Sequence, residues 1–246
     1  MSLIAVALLC FVSAIFSSLF GLAGGAMLLF GLNFFYSPLE SVYLHGLFQN
    51  ITGYSRLAVF YQEVRWRFVG VFAVGTLIGG QLVSMTDLIR YQSHLLVLTS
   101  VAILIFAFLP KPKQQFTQRT ALALLFAGGI LCGFLGPLIA VVGPLATPFF
   151  MMAGQSKEAL VATKGASLLA VHGVKMVVVS GWSAGATSYD QFYEAPFLGT
   201  VAVALIGGVF FGRWLMKAFS IEKHDLVVKA LLALIAVGFI YQAMTM

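Results

Sequence analysis

GLAGGAMLLFGLNFF, residues 21–35, and GPLIAVVGPLATPFF, residues 136–150, share one design: a glycine-rich break, then a short apolar segment. Glycine loosens the backbone and proline removes a donor, so each break should interrupt one helix and let a short second one start beyond it. Sliding the chain by 119 residues, the distance from Gly24 to Gly143, lays the two stretches over each other. The same offset puts Phe30 on Phe149, Ser37 on Ser156, His45 on Lys164, Gly46 on Gly165 and Arg56 on Lys175. Further on, LIGG at 77–80 matches LIGG at 205–208 if the loop GWSAGATSYDQFYEA (181–195) supplies about nine extra residues. The chain therefore reads as two related halves, 1–112 and 113–246.

The surroundings of both breaks are apolar. Of 246 residues 61% are hydrophobic and only 9% charged, with a mean hydropathy of +1.00, so the solvent for most of the chain is lipid. Stretches approaching the ~20 residues that cross a bilayer recur along the whole length. No polar segment is large enough for a separate soluble domain. The expected helices run about 3–20, 25–36, 39–61, 67–85, 94–110, 119–135, 144–154, 157–180, 196–217 and 225–245, of which the second and seventh are too short to span comfortably. The apolar N-terminus lacks the basic start of a signal peptide and is expected to stay in the mature protein. Cys10 and Cys132 lie in apolar stretches and read as small packing residues, not as a disulfide framework or metal site. No cofactor is expected.

The net charge of +6 sits largely in short loops, where it reports orientation and lipid headgroups; there is no nucleic-acid motif. Basic residues gather at Arg65 and Arg67, at Lys111, Lys113 and Arg119, and at Arg213, Lys217 and Lys223. By the positive-inside tendency all three connections are cytoplasmic. The 181–195 loop carries Asp190 and Glu194 without Lys or Arg and should face outward. Those sides require an odd number of crossings per half, and odd halves are inverted. The expected fold is all-α: a polytopic transmembrane helix bundle of two inverted-topology repeats with broken or re-entrant helices, both termini outside the cell membrane. Whether the broken pairs cross or re-enter, and whether the protein forms an oligomer, stays open at this level.

Irregular backbone at membrane depth persists only where it is buried in protein or lines a wet cavity, so the breaks are candidate site positions. Helix starts after Gly24 and Gly25, and at Gly143 and Pro144, offer N–H donors and a positive dipole end to an anion. The same glycines could instead serve close helix packing. On 39–61, His45, Gln49, Thr52 and Arg56 share one face; on 157–180, Lys164, Ser167 and Lys175 do the same, with His172 to one side. A lysine near the bilayer centre costs about 2.5–3.5 kcal/mol, which singles out Lys164 first, opposite His45 in the repeat. Arg56 and Lys175, nearer their helix ends, could instead snorkel to the interface. His45 could be a packed neutral histidine, and Gln49 and Asn50 could join helices. The chain has eight carboxylates, nearly all expected at helix ends or loops, which argues against an acidic cation pathway. No nucleophile elbow, phosphate loop or metal spacing suggests an enzyme. The histidines leave proton coupling open.

GLAGGAMLLFGLNFF with SPLESVYLHGLFQN, and GPLIAVVGPLATPFFMMAGQSKEALVATKGASLL, resemble the two repeats of the TauE/SafE family of sulfite exporters. The resemblance covers essentially the whole chain. It implies export of sulfite, organosulfonates such as sulfoacetate, or related small oxyanions. The second copy departs from the family's glycine run, with Pro144 in place of a glycine, and the first copy lacks the usual proline shortly after Gly25. The expected function is a secondary transporter of small sulfur oxyanions; beside it stand a passive anion channel and, with less support, a membrane enzyme or scaffold subunit.

Overall fold

A computed structural model describes residues 3–20, 23–86, 88–108, 116–183, 189–218 and 224–245. Ten α-helices run in order: α1 Leu3–Phe20, α2 Ala23–Leu32, α3 Pro38–Phe60, α4 Trp66–Ser84, α5 Gln92–Phe108, α6 Gln118–Ile139, α7 Gly143–Met151, α8 Lys157–Trp182, α9 Ala195–Ala218 and α10 His224–Thr245. The described residues contain no strand. Four helices, α4, α6, α8 and α9, hold stretches long and apolar enough to cross a membrane. Each expected helix is present, with two corrections. α2 stops at Leu32 rather than 36. α6 continues past 135 through Pro137 to Ile139, so the second break shrinks to residues 140–142. Of the first break, Gly21 and Leu22 lie outside the described residues, as do Lys111, Lys113 and Lys223 of the basic connections and part of the 181–195 loop.

Ser37 and Ser156, 119 residues apart, do the same work. Ser37 and Ser156 are the N-caps of α3 and α8, with Ser37 forming a capping box with Glu40 and Ser156 accepting from the Ala159 amide.

Each broken pair is a hairpin. A Cβ on Gly24 would lie 2.4 Å from Ser13 and Ser17 main-chain atoms, and one on Gly31 would strike Leu9, so α2 runs back antiparallel along α1. In the second pair Gly128 faces the Phe149 ring, and the Phe116 amide donates to the Met152 carbonyl at 3.1 Å, joining the hairpin's entry to its exit. At 10 and 9 residues, α2 and α7 are about 15 Å long, half of a ~30 Å hydrocarbon core.

The long limbs pack across the halves. α6 lies on α4, where Cβ atoms on Gly75, Gly79, Gly129 or Gly133 would come within 2.1–2.3 Å of carbonyls of the facing helix. α1 lies on α9 in the same way, with Gly208 and Gly212 against Phe11 and Ile15. Small residues let these backbones meet, which is how helices gain van der Waals contact where lipid supplies no hydrophobic drive. α5 packs on α10. At the centre α3 and α8 run antiparallel: Gly46 meets Lys175 and Met176, Gly53 meets Leu169, and the Arg65 amide just past α3 donates to Thr163.

Candidate functional site

Antiparallel packing of α3 on α8 puts His45 level with Lys175, and Arg56 level with Lys164. Eleven residues separate the two levels on each helix, about 16 Å along the axis.

At the first level the Lys175 ammonium donates to His45 Nδ1 at 2.6 Å and to the Ala140 carbonyl at 3.3 Å. His45 Nε2 lies 3.1 Å from the Gly25 carbonyl. A carbonyl only accepts, so Nε2 carries the proton and Nδ1 offers a lone pair to Lys175. Lys175 is 0% and His45 2% exposed, so Lys175 does not snorkel. Ala140 is held at φ 54°, a region non-glycine residues rarely adopt, where α6 ends just after its internal Pro137. The chain of bonds from Gly25 through His45 and Lys175 to Ala140 thus joins one break to the other.

At the second level Arg56 Nη2 donates to Ser17 Oγ at 2.6 Å, and Lys164 Nζ donates to Thr147 Oγ1 at 3.2 Å. Thr147 in turn donates to the Gly143 carbonyl at 2.8 Å. Both cations are half-buried. Arg56 is near enough for its charge to act on Lys164 and on His172, as Lys175 acts on both histidines. Among the described residues no carboxylate contacts Arg56, Lys164 or Lys175.

Between the levels lie Gln49, Asn50 and His172. Among the described residues His172 Nδ1 and Asn50 Oδ1 are buried with no partner, and the Asn50 amide donates to Met176 Sδ at 3.6 Å. Gln49 sits against Gly25, where a Cβ would lie 2.8 Å from Nε2, and accepts from Thr52 at 3.4 Å. The His172 and His45 rings meet edge to face at 5.7 Å. Among the described residues, Ser167, Gly24 and Pro144 make no hydrogen bond to the cations. The Ser167 hydroxyl donates to Thr163 of its own helix, and Gly24 serves the packing of α2 on α1. Pro144 is buried in the first turn of α7, whose N-cap Val142 supplies no side-chain bond. No group of three His, Cys, Asp or Glu among the described residues could hold a metal.

One expected pairing is corrected. His45 bonds Lys175, not Lys164, which turns to Thr147. Ser17, Thr147 and the Ala140 carbonyl complete the geometry and were not candidates in the sequence. A serine or threonine in an apolar helix ordinarily bonds its own i−4 carbonyl, as Ser18 does with Ala14, so neither hydroxyl stood out.

Three cations of this helical protein, Arg56, Lys164 and Lys175, thus lie on two facing helices, met among the described residues by hydroxyls, an imidazole and a carbonyl. Residues 6–239 match the family described as Sulfite exporter TauE/SafE, and the chain belongs to that family. Its members are transporters, which makes this chain a membrane transporter of small sulfur anions. No curated protein and no solved structure matches the chain significantly.

Proposed function

We propose that the chain is a secondary carrier that exports sulfite, sulfoacetate or a related sulfur oxyanion across the inner membrane by alternating access. The observation that supports this most is the second cation level: Arg56 and Lys164, half-buried, met among the described residues by the hydroxyls of Ser17 and Thr147. A charge buried without an opposite one is costly, and an oxyanion with several acceptor oxygens would supply both the missing charge and charge-assisted hydrogen bonds. Gln49, Asn50 and His172 would meet the far side of the anion. The helix start at Gly143, which has no side-chain cap, would add backbone donors.

In this reading the halves 1–112 and 113–246 are inverted repeats and the hairpins α1–α2 and α6–α7 are re-entrant from opposite faces. That arrangement suits rocking of one half against the other around a midplane site. A coupled proton would load on His172, whose Nδ1 has no partner, rather than on His45, whose two ring nitrogens are both engaged.

The test is flux into proteoliposomes with sulfite, sulfoacetate, thiosulfate and sulfate, comparing wild type with Lys164→Ala. A carrier gives saturation and trans-stimulation, and the variant loses both. Linear flux without trans-stimulation identifies a channel instead. Unchanged saturable transport in Lys164→Ala removes Lys164 from the site.

A further inference from the structure

The two levels on α3 and α8 are built alike except at one position. Each of the four residues also grips the hairpin of its own half: His45 holds Gly25 of α2, Lys164 holds Thr147 of α7, Arg56 holds Ser17 of α1, and Lys175 holds Ala140 at the end of α6. The difference is that position 45 presents a neutral acceptor where its counterpart, 164, presents an ammonium. With its Nε2 proton committed to Gly25, His45 takes a hydrogen bond from Lys175 directly. Arg56 and Lys164 are donors only and repel each other, so nothing lets their level close by direct contact.

Exposure follows the same division. His45 and Lys175 are sealed from solvent, whereas Arg56 and Lys164 are half-buried. Toward the N-terminal end of α3 lies a crevice lined by Asn33, Val42, Leu96, Thr99 and Ala140. Ala140, in its wall, is the residue whose carbonyl Lys175 holds.

We propose that His45 and Lys175 are a gate that closes empty, while the Arg56–Lys164 level closes only around an anion, so the residues at 45 and 164 set which face the unloaded carrier opens to. The inference rests on the anion-carrier reading above. An unloaded carrier waits open on the Arg56–Lys164 face until an anion cancels the charges there. Once emptied on the opposite face, it resets by remaking the Lys175–His45 bond. His45 is thus a positioning residue: it acts through Lys175 and touches no anion in this state.

The test reads accessibility, not transport. Asn50→Cys, half-buried between the levels, is the reporter in a Cys10→Ala/Cys132→Ala background. The protein is reconstituted in vesicles in a large impermeant anion such as gluconate, and a membrane-impermeant maleimide is added to one face at a time. Labelling should be about tenfold faster or more from the Arg56–Lys164 face. His45→Lys should bring the ratio of the two rates near one, and His45→Gln, which keeps an acceptor for Lys175, should restore it. Lys164→His, which lets the other level close empty, should also bring the ratio near one, and the double exchange His45→Lys/Lys164→His should invert it. The gate is overturned by equal labelling from both faces in wild type, or by an undiminished bias in His45→Lys and Lys164→His alike. The labelling bias does not require flux, and flux is read in protein that retains Asn50, so bias without transport of any of the four anions keeps the gate and loses the carrier. A saturable carrier without bias does the reverse.

Discussion

Lys175 donates to His45 at 2.6 Å across the interface of α3 and α8, and this contact closes a chain of hydrogen bonds from the Gly25 carbonyl of one hairpin to the Ala140 carbonyl at the turn of the other. Among the described residues an ammonium there is met by dipoles: one imidazole nitrogen and one carbonyl. Dipoles compensate a buried charge only in part, and the loss of water around one ion costs several kcal/mol. The level is therefore held together by geometry against an electrostatic cost, the condition expected of a contact that must open.

That cost makes Lys175→Met informative. Methionine roughly keeps the length of the side chain and removes the desolvation penalty of a buried ion, several kcal/mol. It also leaves His45 Nδ1 and the Ala140 carbonyl unpaired, at about 1–3 kcal/mol each. The two terms nearly offset, so the thermal midpoint of the purified protein should stay within a few degrees of wild type while saturable flux falls at least about tenfold. A midpoint lowered by more than 10 °C with flux intact would make Lys175 a purely structural residue.

Thr147 supplies the one oxygen that positions Lys164. A hydrogen bond to a charged group is worth about 1.5–3 kcal/mol, so Thr147→Val should raise the half-saturation concentration for the transported anion by about 10- to 100-fold. Thr147→Ser keeps the oxygen and should stay within threefold of wild type. Equal effects of Val and Ser would assign the loss to packing in α7 and not to the ammonium.

Helix order and most helix bounds were legible in the sequence because each depends on local chemistry. α2 and α7 start within GLAGG and GPLIAVVGP, and Ser37 and Ser156 announce the starts of α3 and α8. Which cation meets which partner was not legible. The 119-residue offset pairs equivalent positions, His45 with Lys164 and Arg56 with Lys175. Antiparallel packing of α3 on α8 makes the residue number rise along one helix as it falls along the other, so each position meets the other kind, His45 with Lys175. That exchange needs the direction of packing, which no single repeat contains. The length of the second break also escaped the sequence, because Pro137 sits inside α6 rather than ending it.

Helix contacts on α4 and α6 leave no room for a methyl group. A Cβ at Gly79 would lie 2.1 Å from the Ile130 carbonyl, and one at Gly133 would lie 2.1 Å from that of Thr76. Backbone cannot yield as a side chain can, so Gly79→Ala or Gly133→Ala should push the helices apart and cost more than the 1–3 kcal/mol of ordinary overpacking. Gly199 of α9 has nothing within 4 Å of its Cβ position, and alanine there should gain up to about 1 kcal/mol. Thermal midpoints and the monodisperse fraction on size exclusion should separate the pair from the control. Gly79→Ala behaving like Gly199→Ala would mean that α4 and α6 are not in backbone contact.

Sidedness is the last expectation, and parity fixes it. With α1–α2 and α6–α7 as hairpins that return to the face they enter, each half crosses three times through α3, α4 and α5, or α8, α9 and α10. The turn after α3 and the start of α6 then share one face, and the loop before α9 lies on the other. Arg65 and Arg67 follow Glu63 in the first of these, so that face should be cytoplasmic. Single cysteines replacing Glu63, Gln118 and Glu194, all exposed, report the three places in a background lacking Cys10 and Cys132. An impermeant maleimide should label Glu194→Cys in intact cells, and Glu63→Cys and Gln118→Cys only after permeabilisation. Four crossings per half, eight in all, would still leave Glu63 and Gln118 on one face but would bring Glu194 to that same face. Labelling of all three from the same face would therefore remove both the hairpin reading and the inverted relation of the halves.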